Sequence, residues 1–125
     1  MYLLDTHTLI WSQFNSDNLS ATAKEKLEDD NKVFVSIASF WEIAIKQSIG
    51  KLDIDISPKD LVDQCLESGM YLLPIKPEHL DLIKDLPDIH RDPFDRLLIA
   101  QAKSENLTFI SRDEKIAQYG IDVVW

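Results

Sequence analysis

Apolar residues along the chain fall into short runs that alternate with stretches of helical periodicity. Residues 2–5, 32–36, 71–75, 107–111 and 121–124 are apolar runs of strand length, rich in Leu, Val, Ile and aromatic residues. Between them the spacing predicts helices over 6–14, 20–29, 37–49, 57–69, 77–86, 92–105 and 113–119. In the second of these, Ala21, Ala23 and Leu27 form the inward face. Gly50 and Gly69 mark helix ends, and Pro58 sits at a first helical position. Strands that are almost wholly apolar and separated by helices predict an α/β fold with a parallel sheet covered on both faces. In such sheets ligands gather beyond the carboxyl ends of the strands, where strand order reverses.

Composition narrows this picture only a little. A chain of 125 residues, 45% hydrophobic and 28% charged, suits one folded domain spanning 1–125. The single cysteine, Cys65, excludes an intrachain disulfide and reads as an apolar filler on a helix. Met1-Tyr2-Leu3-Leu4 runs straight into Asp5, and no stretch approaches the roughly 20 apolar residues of a membrane span. The expectation is a cytoplasmic protein with no membrane partner. The formal net charge of −9 argues against a protein that grips nucleic acid through a basic surface.

Chemistry enters at the strand ends. Asp5 closes the first strand, Asp113 follows the fourth in Ser111-Arg112-Asp113, and Asp95 lies in the first turn of the helix opening at Asp92. Glu42 sits on the helix after the second strand, in Ser39-Phe40-Trp41-Glu42-Ile43. Each acid has a structural explanation. Asp92 caps a helix, and Asp95 complements its dipole. Ser39 and Glu42 have capping-box spacing, Glu42 pairs with Lys46 four residues on, and Asp113 caps the next helix. Yet a carboxylate on a helix as apolar as that of Glu42 is costly without compensation, and Asp5 follows its strand with no turn residue. Acids from separate segments that meet at one rim need a counter-charge, for which a divalent cation is the usual solution.

These segments resemble PIN-domain ribonucleases, most closely the VapC-type toxins of bacterial toxin–antitoxin pairs. The resemblance is carried by Leu3-Leu4-Asp5-Thr6, Ser39-Phe40-Trp41-Glu42-Ile43, Asp92-Pro93-Phe94-Asp95-Arg96 with Ala100-Gln101-Ala102, and Ser111-Arg112-Asp113, and it spans the chain. It implies a three-layer α/β/α sandwich with a central parallel sheet. The implied activity is metal-dependent endonucleolytic cleavage of structured RNA, tRNA or a ribosomal RNA loop. The implied partners are a small antitoxin and, as is common in the family, a second copy of the chain. Asp5, Glu42, Asp95 and Asp113 map onto the family's acids.

On that reading Asp5 and Asp95 are the principal ligands of Mg²⁺ or Mn²⁺, since carboxylates suit hard cations and no Cys/His cluster is present for zinc. Glu42 and Asp113 bind a second ion, hold metal waters or poise the nucleophile. Thr6 and Ser111 orient waters or cap backbone, and Arg96 holds a carboxylate or a phosphate. Lys46, Lys51, Arg91, Arg96 and Arg112 are candidates for the RNA path, each with an ordinary surface role as the alternative. His7 and His90 read as hydrogen-bonding spacers. The competing readings are a haloacid-dehalogenase-like phosphotransferase, a Mg²⁺-binding receiver-like module and a catalytically silent PIN-fold binding module. The first lacks its second acid, because His7 stands two residues after Asp5.

Overall fold

The computed structural model describes the chain from Met1 to Trp125. Its strands are β1 (Tyr2–Leu4), β2 (Val33–Ser36), β3 (Tyr71–Leu73), β4 (Thr108–Ile110) and β5 (Val123–Val124). All neighbours pair in parallel, in the order β3-β2-β1-β4-β5. The helices are α1 (Thr6–Phe14), α2 (Ala21–Glu28), α3 (Ile37–Ser48), α4 (Pro58–Glu67), α5 (Pro77–Asp85) and α6 (Pro93–Glu105).

The period of two along each strand sorts side chains to opposite faces. Leu4, Val33, Val35 and Ile110 pack with Leu9 of α1, Ala23 of α2, Phe40 and Ile43 of α3, and Leu61 and Cys65 of α4. Leu3 and Phe109 face the other way, onto Leu98 and Ile99 of α6 with Ile116 and Tyr119. Both faces are therefore covered, and the fold is the expected α/β/α sandwich. Burial lifts the Cys65 thiol to about 11, so it is inert.

The strand order places the reversal of winding beside β1. The chain moves outward from β1 through β2 to β3, then crosses back to lay β4 on the other side of β1. The carboxyl ends of β1 and β4 consequently flank the crevice where α/β folds bind ligands. Helix α6 leads back from that edge. Asp92 caps it by accepting from the N–H groups of Phe94 (2.8 Å) and Asp95 (3.0 Å). Leu97 to Ala102 are all buried, each large apolar side chain contributing about 1.5–3 kcal/mol. Asn106 ends the helix at φ 55°, a left-handed conformation that asparagine tolerates.

The elements differ from the sequence pattern in a few places. Residues 114–119 form a 3₁₀ helix rather than an α-helix, held to six residues before Gly120 turns left-handed at φ 78°. A further 3₁₀ turn, Ser16–Asn18, follows α1. Strand β3 ends at Leu73, ahead of Pro74, and β5 has only two residues. Ala21 is exposed and Leu27 half-buried, leaving Ala23 as the only fully enclosed residue of α2. The N-cap of α3 is Ser36, whose hydroxyl accepts from the Ala38 N–H, so Ser39 is not a capping-box residue. No helix is long and apolar enough to cross a membrane.

Candidate active site

Asp5, Asp95 and Asp113 line one cleft of about 450 Å³ at the carboxyl edge of the sheet, together with His7, Trp11, Arg112 and Ile116. Backbone geometry brings them there. Asp5 is the N-cap of α1, directly after β1; Asp113 is the N-cap of the terminal 3₁₀ helix after β4; Asp95 is in the first turn of α6. Glu42 stands behind this rim. It is only 6% exposed, and its charge is felt by Asp95.

Three of the four acids have both oxygens engaged. Asp5 Oδ1 accepts from the Thr8 N–H (2.8 Å), and Oδ2 accepts from the Ser111 hydroxyl (2.6 Å). Glu42 Oε1 accepts from the Thr6 hydroxyl (2.6 Å), which also lies 3.0 Å from the Ser39 hydroxyl, and Oε2 pairs with Lys46 Nζ at 2.7 Å. Asp113 Oδ1 accepts from the Lys115 N–H (3.0 Å), and Oδ2 lies 2.6 Å from His90 Nε2. The Asp113 N–H in turn donates to Ser111 Oγ (3.1 Å), so the Ser111 hydroxyl joins two of the acids. Thr6 and Ser111 thus hold carboxylates. Lys46 is the i, i+4 partner of Glu42.

His90 is oriented from its other side. Tyr119 Oη accepts from the His90 backbone N–H (2.8 Å) and lies 2.9 Å from Nδ1. With the phenol proton directed at Nδ1, the ring proton sits on Nε2 and is donated to Asp113. Burial pushes the Asp113 carboxyl up, but the His90 and Lys115 hydrogen bonds outweigh it and hold the group below the usual carboxylate range.

Asp95 is the exception. Its carboxylate accepts none of the hydrogen bonds that serve its neighbours. Burial raises it to about 6, aided by the charges of Asp92, Glu42 and Asp5 and opposed by His90. A half-buried carboxylate among like charges, without a proton donor, is one that a nearby cation would stabilise.

Arg96 departs from expectation. Its guanidinium donates to four backbone carbonyls: Pro87 (2.9 Å) and His90 (3.1 Å) from one nitrogen, Ile83 (3.2 Å) and Leu86 (3.3 Å) from the other. It straps the α5–α6 connection and is not turned to a carboxylate or a phosphate. A planar five-donor fork is suited to this, and the sequence spacing gave no sign of it. Lys51 and Arg91 are exposed, and only Arg112 of the proposed cationic path borders the cleft. His7, exposed on the cleft wall, stacks on Trp11 at 5.7 Å and makes a face of the site rather than a spacer. Trp11 ends the run of residues 3–11 that belongs to the family resemblance, but nothing in that run marked it as a wall of the site.

A model of the PIN domain matches residues 2–122. The chain belongs to the PIN domain family. Solved structures agree on the fold of this PIN domain. A chain of Rickettsia felis VapBC2, solved bound to a DNA fragment from its promoter, superposes with a TM-score of 0.74 at 14% identity, covering 98% of this chain and 96% of that one. FitAcB from Neisseria gonorrhoeae gives 0.67 at 19% identity, covering 100% and 97%. Mycobacterium tuberculosis VapC20, described as a sarcin–ricin loop cleaving toxin, gives 0.68 at 13%, covering 97% and 96%. Among curated proteins, none matches the sequence. Family membership sets aside the dehalogenase-like and receiver-like readings.

No three His, Cys, Asp or Glu side chains of this PIN domain stand close enough to enclose an ion by themselves. Asp5, Asp95 and Asp113 nonetheless offer carboxylate oxygens to the cleft, with the His7 imidazole beside them. Those oxygens fit a small hard cation that keeps most of its waters and takes one or two carboxylates from the protein.

Proposed function

We propose that this PIN domain, spanning the whole chain, is a Mg²⁺- or Mn²⁺-dependent endoribonuclease and the toxin of a toxin–antitoxin pair. The observation that carries the reading is the Asp95 carboxylate, raised to about 6 and without a hydrogen-bond donor, in the cleft it shares with Asp5 and Asp113. The substrate class is structured RNA, tRNA or a ribosomal loop, as with the M. tuberculosis neighbour that cleaves the sarcin–ricin loop.

In this assignment Asp5 and Asp95 would be the principal metal ligands, and Asp113 would reach the ion through its water shell. A bound divalent cation supplies Lewis acidity and a water of lowered pKa. The chain's own residues do the rest. Ser111 holds Asp5, and Thr6 with Lys46 holds Glu42, whose charge reaches Asp95 from behind the rim. His90, fixed by Tyr119, keeps Asp113 ionised and pointed inward. The antitoxin is a small protein with a basic segment suited to the net charge of −9. High salt then weakens the complex. A reducing cytoplasm is consistent with the lone buried thiol of Cys65.

The test uses the chain purified free of any partner, incubated with structured RNAs and Mn²⁺, with EDTA and Asp95→Asn as controls. Metal-dependent cleavage lost in the variant supports the assignment. Absence of cleavage with tight retention of a co-purifying small protein favours the silent binding module and overturns it.

A further inference from the structure

Planar groups line the cleft beside the acids. Helix α1 places His7 and Trp11 four residues apart on one face, so their rings meet. They stack at 5.7 Å with 24° between planes. Trp125 backs Trp11 at 5.8 Å, and the Arg112 guanidinium carbon lies 5.9 Å from the Trp11 ring centre. His7, Trp11 and Arg112 all border the same cavity as Asp5, Asp95 and Asp113. At about 450 Å³ the cavity lies in the range of small-ligand clefts, roughly 300–1,000 Å³.

We infer that His7, Trp11 and Arg112 form a stacking subsite that receives one unstacked nucleobase of the RNA next to the scissile phosphate. This deepens the ribonuclease assignment above and rests on it. The charge balance favours a base over a second phosphate here. Three carboxylates and one arginine border the cleft, in a chain of net charge −9, so backbone attraction is weak. A neutral base loses nothing to those carboxylates and gains from aromatic and guanidinium faces. Only nucleotides in loops, bulges or single strands present a free base face. The subsite therefore selects for unpaired positions and supplies affinity that electrostatics does not.

The test measures binding without cleavage, using the Asp95→Asn protein in EDTA and fluorescence anisotropy. The probes are a labelled hexa-adenylate RNA and a labelled chain of six abasic ribose phosphates. The adenylate binds about 5- to 100-fold more tightly, as expected for stacking of one base. His7→Ala, an exposed position where the fold is not at risk, narrows that gap, and Trp11→Ala narrows it further. Trp11→Phe preserves most of it, and Trp41→Ala, outside the cleft, leaves it unchanged. Arg112→Gln narrows the gap as well, since its guanidinium face is part of the stack. Equal binding of the two probes, binding of neither, or a gap indifferent to His7→Ala and Trp11→Ala overturns the subsite. Cleavage by the wild-type protein is scored separately. Metal-dependent cleavage without the base-dependent gap sinks the subsite alone, and the gap without cleavage sinks the ribonuclease assignment alone.

Discussion

Helix α6 carries an acid at each end, Asp95 in its first turn and Glu105 in its last. The helix dipole favours a negative charge at the first and opposes it at the second. The carboxyl groups behave the other way round. Asp95 is raised to about 6, while Glu105 is held below its ordinary value by hydrogen bonds from Lys76 and His79. Glu105 meets Lys76 Nζ at 3.1 Å and the fully buried His79 at 3.2 Å. Asp95 meets other acids. Burial at the first end and immediate partners at the second outweigh the dipole. The acid with partners closes the far edge of the fold, and the acid without them marks the edge at which the proposed cation would bind.

The largest separation between these two ends is in activity. Asp95→Asn abolishes RNA cleavage, by about 10²- to 10³-fold or more, as for loss of a principal charge-stabilising group. Glu105→Ala leaves cleavage within about twofold at temperatures well below melting. Initial rates on one RNA substrate under saturating Mn²⁺ check both. Next in size is the response to cation. Mg²⁺ or Mn²⁺ at about 100 times its Kd stabilises the wild type by about 2.7 kcal/mol, EDTA reverses this, and Asp95→Asn loses most of it. Thermal melts with and without metal measure the difference.

Glu105→Ala has a smaller effect of opposite kind. It leaves the buried His79 nitrogen without its acceptor and costs about 1–3 kcal/mol of folding free energy. The folded-state value of Glu105 is depressed, so its contribution is present above the unfolded value near 4.3 and fades as pH falls through the native one. Urea denaturation of the two proteins at several pH values reads this directly. Smaller still is Tyr119→Phe, about 0.5–1.5 kcal/mol, which removes the hydroxyl that orients His90. A ring free to turn weakens the hold on Asp113, so half-saturation by Mn²⁺ moves to higher concentration while the melting temperature falls by about 2–6 °C.

Features set by local chemistry are legible in the sequence, and contacts between distant segments are not. Strands of Leu, Val, Ile and Phe flanked by amphipathic helices allow little but a covered parallel sheet, and acids directly after β1 and β4 must fall near the reversal of strand order. Asp92 and Pro93 announce the start of α6 by cap chemistry alone. Arg96 was different, because its four carbonyl partners belong to a connection whose path no spacing rule reveals. His90 with Asp113 and Tyr119, and Arg112 with Trp11, are likewise contacts between separate segments. Nothing within either segment distinguishes these residues from ordinary surface side chains. That Asp95 would be the acid left without a donor was equally hidden, since it depends on where Thr6, Ser111 and His90 direct their protons.

Above about pH 6 the folded protein holds Asp95 ionised at a cost that a bound cation would relieve. A group whose folded value is raised contributes stability below its unfolded value, near 3.9, and loses it as pH climbs through about 6. Asparagine mimics the neutral form at every pH. The decisive measurement is the difference in unfolding free energy between Asp95→Asn and wild type in EDTA, followed from pH 4 to pH 8. The variant should be more stable by about 2–3 kcal/mol above pH 7, with the gap closing toward pH 4. A variant no more stable than wild type at pH 7 and above, or a gap that does not change with pH, would contradict it.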